Sequence, residues 1–215
     1  MRVLHVIPSL SPKRGGPTAV ALNLVRELNA LGIMAEICTT NDDVDGVMDV
    51  PLGRRIEHAG APVWFFPRLT LPIGRDRGFL FSLAWTRWLW QQIPHYDVLD
   101  THYLFAFGSS AAATIARHHQ VPYTMRTMGQ LSPWALSQSR AKKQLYSWLR
   151  ERKNLNRASA IHCTTEGEAA DVHHFGITAP TWVLPLGVRP GEVIEDAAAQ
   201  LHQRYAIAPA QPIIL

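Results

Sequence analysis

Arg2-Val3-Leu4-His5-Val6-Ile7, followed by Pro8-Ser9-Leu10-Ser11-Pro12-Lys13-Arg14-Gly15-Gly16-Pro17, decides the fold. It reads as a buried strand, a flexible basic loop with paired glycines, and then a helix. That order sets bare backbone N–H groups and a helix N-terminus where a parallel sheet binds an anion. A phosphate-bearing ligand is the first expectation. Pro17 suits the first helical position, where a missing N–H costs nothing, and Gly32 suits the left-handed position after the helix ends. Val20, Leu24, Leu28 and Leu31 fall on one face at helical spacing, a face expected to cover the sheet.

The same alternation continues along the chain. Strands are predicted over 3–7, 35–39, 63–66, 98–101, 123–126, 160–164 and 182–184, and helices over 18–31, 79–92, 109–120, 140–156, 166–175 and 192–205. Thr165 and Glu168 have capping-box spacing and start the helix after the 160–164 strand. Strands alternating with helices predict an α/β fold, a doubly wound, Rossmann-like parallel sheet with helices on both faces.

With 215 residues the chain holds one sizeable α/β domain, and 47% hydrophobic residues against 18% charged excludes wholesale disorder. No apolar run approaches the ~20 residues of a membrane span. The apolar stretch after Met1-Arg2 stops at Pro8, too short for a secretory signal, so a cytoplasmic protein is expected. Cys38 and Cys163 sit in strand-like segments and read as reduced core thiols. The net charge of +4 suits an anionic partner, and no zinc-finger spacing or RNP-type aromatic motif points to nucleic acid. Near the end, Ala208-Pro209-Ala210-Gln211 is a linker by composition, and Pro212-Ile213-Ile214-Leu215 resembles the start of another buried strand. The expectation is one domain over 1–207, with 208–215 as a linker and the first residues of a second domain.

Several positions could carry chemistry. Gly15-Gly16 allow close backbone approach to a phosphate or sugar, or make a plain left-handed turn. The spacing is not G-x-G-x-x-G and no acidic residue ends the second strand, so a dinucleotide site is not indicated. His102, after Asp97-Val98-Leu99-Asp100-Thr101, stands at the end of a central strand, where it could donate to a sugar hydroxyl or a phosphate oxygen, or be satisfied by backbone. Arg126 emerges at the same edge, suited to a bidentate phosphate or carboxylate contact. Glu166 is also there, at a helix start where a carboxylate serves as a simple cap. His118-His119 and His173-His174 are adjacent pairs that share no helix face and make no natural chelate. Asp43-Val44-Asp45 has D-x-D form, which holds a divalent metal in some transferases, but lies in a polar, solvated loop.

Two stretches are basic and amphipathic. One carries Arg75, Arg77 and Arg87 beside Phe79, Phe81, Trp85, Trp88 and Trp90. The other carries Arg140, Lys142, Lys143, Arg150, Arg152, Lys153 and Arg157 around Leu145, Trp148, Leu149 and Leu155, opposed by Glu151 alone. The aromatics are expected to pack on the sheet and the charges to face water; contact with an anionic membrane is the alternative.

Four segments together resemble the N-terminal domain of family-4 glycosyltransferases, retaining enzymes with two facing Rossmann-like domains, the GT-B architecture. They are the first strand with Gly15-Gly16-Pro17, Asp97 through His102, Arg126-Thr127-Met128-Gly129-Gln130-Leu131-Ser132-Pro133-Trp134-Ala135-Leu136, and Glu151-Arg152-Lys153 through Ala169 with Leu184-Pro185-Leu186-Gly187-Val188. The third has one residue more than the family's R-G-M segment, and Leu186 replaces a common Asn. The resemblance implies that Gly15 and Gly16 approach the donor diphosphate or the acceptor, and that His102, Arg126 and Glu166 line the acceptor side. It implies a nucleotide-sugar donor as co-substrate, a saccharide or lipid-linked acceptor, and no metal or other cofactor. The family's second domain holds most of the donor, so this chain alone is expected to be inactive. A ligand-binding or membrane-docking module and a GT-B-related sugar-nucleotide epimerase are the alternatives.

Overall fold

The computed structural model describes residues 1–69, 80–138, 140–188, 194–208 and 210–213. The expected helix starts at Phe79 and Glu192, Arg75 and Arg77 of the first basic stretch, Pro209 and the closing Ile214-Leu215 lie outside the described residues. So do the side chains of Arg140 and Lys142.

Eight strands form one sheet: β1 Arg2–Ser9, β2 Met34–Thr40, β3 Arg55–His58, β4 Ala61–Phe66, β5 Val98–His102, β6 Tyr123–Arg126, β7 Ala160–Cys163 and β8 Thr181–Val183. Their order is β3-β4-β2-β1-β5-β6-β7-β8, and every neighbouring pair is parallel except β3 and β4. The chain winds outward from β1 in both directions, as the alternating pattern predicts. The seven predicted strands are present, and β3 is an eighth. Its Arg55-Ile56-Glu57-His58 holds a single apolar residue, too weak a pattern to mark a strand. Ala59 and Gly60, with φ of 49° and 76°, make the two-residue turn whose twist suits a hairpin.

The helices are α1 Gly16–Ala30, α2 Leu83–Gln92, α3 Phe107–His118, α4 Pro133–Ser137, α5 Arg140–Tyr146, α6 Arg152–Leu155, α7 Glu166–His174 and α8 Ala197–Arg204. A wide π turn, Ser147–Glu151, joins α5 to α6. Alternation along the strands sends side chains to two cores. On one face Val3, Ile7, Ile37, Val63 and Phe65 meet Ala21, Leu22 and Val25 of α1. On the other, Leu4, Val6, Leu99, Met125 and Ile161 meet Trp85 and Leu89 of α2, Ala112 and Ala116 of α3, Leu155 and Val172. Both thiols, Cys38 and Cys163, are free and buried, as expected.

Two expected faces are corrected. The inward stripe of α1 is Thr18, Ala21, Leu22 and Val25. Val20, Leu24 and Leu28 are only half-buried and Leu31 is exposed. Small side chains at 18 and 21 let the helix seat closely on the strands, a fit that a row of leucines would hold apart. In the rod from α5 to α6, Leu155 packs inward, but Leu145, Trp148 and Leu149 face out while Ser147, Glu151 and Asn154 are buried. The extra residue of the π turn keeps 147, 151 and 155 on one inner line.

Candidate functional site

The parallel strands direct their C-terminal ends, and the loops that follow, to one edge of the sheet. After β1, Ser11 caps a 3-10 turn over Pro12–Arg14, its Oγ accepting from Lys13 N–H at 3.2 Å, and Thr18 Oγ1 donates to Ser11 C=O at 3.0 Å. The loop is therefore an ordered turn, and its cations are already engaged. Lys13 Nζ reaches Asp43 Oδ2 at 3.0 Å, and Arg14 Nη2 reaches the buried Asp42 at 2.8 Å, with Arg68 on the other carboxylate oxygen. Burial pushes the Asp42 carboxyl up, but hydrogen bonds from the two guanidiniums outweigh it and hold the group below its usual range. Asp43 also accepts from Ser11 Oγ at 2.7 Å, so the D-x-D segment anchors the loop.

What remains open is narrower than a run of bare amides. Gly15 N–H is committed to Pro12 C=O at 3.0 Å, and Pro17 has no N–H. Gly16 N–H, the first of α1, has no hydrogen-bond partner among the described residues. Gly15 holds φ 72°, ψ −137°, a conformation that strains any residue with a side chain. A Cβ built on either glycine would meet no atom of the described residues within 4 Å beyond its own turn. The backbone here thus borders open space at a helix N-terminus, where the macrodipole favours an anion.

Beside this loop, β5 and β6 carry charge where a core would be expected. His5, Asp100 and Thr124 share one row across the sheet, and His102, Arg126 and His162 share the next row on the same face, two residues further along. Asp100 is the hub. Its Oδ2 accepts from Arg126 Nε at 2.7 Å and faces His5 Nδ1 at 3.2 Å, and its Oδ1 accepts from Thr124 Oγ1 at 2.7 Å. Burial raises the Asp100 carboxyl, yet the Arg126 charge and the His5 hydrogen bond hold it well below the usual carboxylate range. Burial pushes His102 down to about 3, so its imidazole is neutral. Because Asp100 can only accept, His5 Nδ1 donates to it, and His102 Nε2 lies 3.3 Å from that nitrogen. His5 Nε2 and His102 Nδ1 are buried without hydrogen-bond partners among the described residues. Unsatisfied buried groups cost about 1–3 kcal/mol each, an expense that concentrates at functional sites.

His5, Asp100 and His102 are also the one group among the described residues with metal-ligand proximity, their ligand atoms lying within 4.8 Å of one another. Their shared oxygen already carries the Arg126 guanidinium, which supplies the positive charge a metal would bring. As arranged, the cluster orients Arg126 and does not suit a resident cation.

Of the sequence-predicted residues, the fold sets His102 and Arg126 in adjacent positions and Gly15-Gly16 over the end of β1. His102 is fully enclosed, and Arg126 keeps 13% of its side chain exposed. Glu166 is exposed in the first turn of α7. The acid that works at this edge is Glu168. Its N–H donates to Thr165 Oγ1 at 3.1 Å, half of the expected capping box. The carboxylate does not return to the cap. One oxygen accepts from Gly129 N–H at 2.7 Å and from Thr127 Oγ1, and the other from Thr164 N–H at 2.7 Å and Thr164 Oγ1 at 2.9 Å. It ties the loop after Arg126, where Met128 and Gly129 both take positive φ, to the start of α7.

The loop after His102 has a similar staple. Tyr103 and Phe105 both hold positive φ, and Glu151 from the π turn accepts from Phe105 N–H at 3.1 Å and from Ser110 Oγ. Burial pushes the Glu151 carboxyl up to about 7. A raised acid is most at home when protonated, so folding stability is highest below the unfolded carboxyl value and falls as pH rises toward 7. The loss reaches about 3 kcal/mol above that point. Glu151→Gln mimics the protonated acid. Thermal melts of this variant should change little between pH 5 and pH 8 relative to the parent, which should drop by several degrees.

A family model described as glycosyl transferase 4-like domain matches residues 15–187. No curated protein sequence matches the chain. Among solved structures, HepE from Anabaena, in complex with UDP and glucose, is 18% identical with a TM-score of 0.66, covering 97% of this chain and 51% of that one. Sucrose-phosphate synthase from Thermosynechococcus elongatus is 16% identical with a TM-score of 0.69, covering 94% and 53%. The S. aureus MnaA–UDP structure is 12% identical with a TM-score of 0.53, covering 95% and 51%. The chain thus spans about half the length of these three structures.

Proposed function

The chain belongs to the glycosyl transferase 4-like domain family, and on that premise we propose that it is the acceptor-side, N-terminal half of a retaining GT-B glycosyltransferase. The enzyme moves a hexosyl group from a nucleotide-sugar donor to a saccharide or lipid-linked acceptor, on the cytoplasmic side. Residues 1–207 form this half, and 208–215 lead into a second domain that holds the donor nucleotide. The observation that carries the reading is the Gly15-Gly16 turn, with open space against its backbone and a Gly16 N–H that has no hydrogen-bond partner among the described residues.

In this reading Gly16 N–H and the α1 N-terminus face the charge that develops on the leaving diphosphate, a preorganised dipole of the oxyanion-hole type. Arg126, held in place by Asp100, adds a cation at the same edge, Glu166 belongs to the acceptor side, and the enclosed His102 supports that edge from within the sheet. The acceptor hydroxyl attacks from the face that the leaving group departs, so the anomeric configuration is kept. No metal or other cofactor takes part in the proposed step.

NMR of products from UDP- and GDP-linked sugars tests this. A polypeptide carrying this chain and a donor-binding domain should form a glycoside with the donor's anomeric configuration, and the 215-residue chain alone should form none. An inverted product, isomerised sugar nucleotide without acceptor, or transfer by this chain alone would each refute the reading.

A further inference from the structure

The rod from α5 to α6 is built inside out. Its buried line carries the polar Ser147, Glu151 and Asn154, while Trp148 is 76% exposed, Leu145 60% and Leu149 57%. Trp134, 75% exposed, stands on α4, which Lys143 ties to the rod by donating to Ala135 C=O. Water is a poor solvent for four such side chains on adjoining elements. The charges among them have one sign: Arg150, Arg152, Lys153 and Arg157 are exposed, and the single acid between 140 and 157, Glu151, is buried. Between α4, the rod and the end of α7 opens a cavity of about 450 Å³, bordered by Lys143, Ser147, Arg152 and His174. Ser147 Oγ there has no hydrogen-bond partner among the described residues.

We propose that this face docks on an anionic phospholipid surface. Trp134, Trp148, Leu145 and Leu149 enter the interfacial layer, where tryptophan is favoured, and the arginines and lysines meet lipid phosphates. The cavity, with its cations and free hydroxyl, takes a headgroup. The exposed charges of the rod are all basic and flank two exposed tryptophans, which complements a negative bilayer whose interface favours tryptophan. No helix among the described residues is long and apolar enough to cross a membrane, so the contact is peripheral. The docking does not depend on the transfer reaction and is tested apart from it.

The test is co-sedimentation of the 215-residue chain with vesicles of phosphatidylcholine alone, or with about one third phosphatidylglycerol, at low and high salt. The chain should sediment with the anionic vesicles, release at high salt, and ignore the neutral ones. Trp148→Ala combined with Leu149→Ala, and separately Arg150→Glu combined with Lys153→Glu, should each weaken binding by about tenfold or more. These side chains are exposed, so unchanged circular dichroism is expected alongside. Absence of binding, equal binding to both vesicle types, or binding that survives both variants would overturn the proposal. So would sedimentation velocity showing a dimer that the Trp148→Ala variant dissolves, since a second copy would then cover this face.

Discussion

Gly108→Ala is expected to destabilise the chain more than alanine at any other described glycine. Gly108 lies in the first turn of α3, and a Cβ built on it falls 1.9 Å from Cζ3 and 2.0 Å from Cη2 of Trp85. Trp85 has nowhere to go: its side chain is fully buried in the core of α2, α3 and the sheet, and its indole N–H donates to Cys38 Sγ at 3.3 Å. Helix propensity alone would favour alanine at an inner helical position by up to about 1 kcal/mol. Overpacking should overwhelm that gain, with a loss of about 3 kcal/mol or more. Urea unfolding monitored by circular dichroism gives the value. Trp85→Leu combined with Gly108→Ala should recover part of the loss, because it removes the ring that the methyl strikes. A tolerated single variant would mean that α2 and α3 are not packed as described.

Asp100→Asn should be nearly as damaging, through charge and not volume. The substitution leaves the Arg126 guanidinium largely buried without its carboxylate, and removing one partner of such a pair costs about 3 kcal/mol or more. The pH dependence separates this from mere loss of packing. Asp100 has a folded value held well below the ordinary one, so its contribution is complete above the unfolded carboxyl value and drains away as pH falls through the folded value. The parent should therefore lose stability steeply below about pH 4, while Asp100→Asn, having no such proton to take up, should show a shallower acid limb. Parallel acid limbs in parent and variant would show that Asp100 is not the charged hub.

Much of this was readable from residue order. Short apolar runs between helical patterns specify the doubly wound sheet, and position at a strand end marks His102 and Arg126. The residues that organise the site were harder to see, because burial and not type makes them special. His5 and Asp100 sit inside strands at alternating positions, and only their polarity in a run expected to be apolar could have flagged them. Glu168 announces a helix cap by spacing, yet its carboxylate serves a loop 39 residues earlier, a tertiary contact that local pattern cannot carry. Lys13 and Arg14 suggest an anion-binding loop until Asp42 and Asp43, remote in sequence, neutralise them. The π turn has no sequence signature here, and it is what turns the tryptophan face of the rod outward.

We propose the Gly16 backbone as a wall of the reaction cleft. The most direct test is Gly16→Ala in a polypeptide that carries this chain with a donor-binding domain. Outside its own helical turn the added methyl meets no atom of the described residues within 4 Å, so the thermal midpoint should be unchanged or slightly raised. Sugar transfer should fall by about tenfold or more in kcat/KM, because the methyl stands where the diphosphate must approach. Full activity at an unchanged midpoint would contradict the claim.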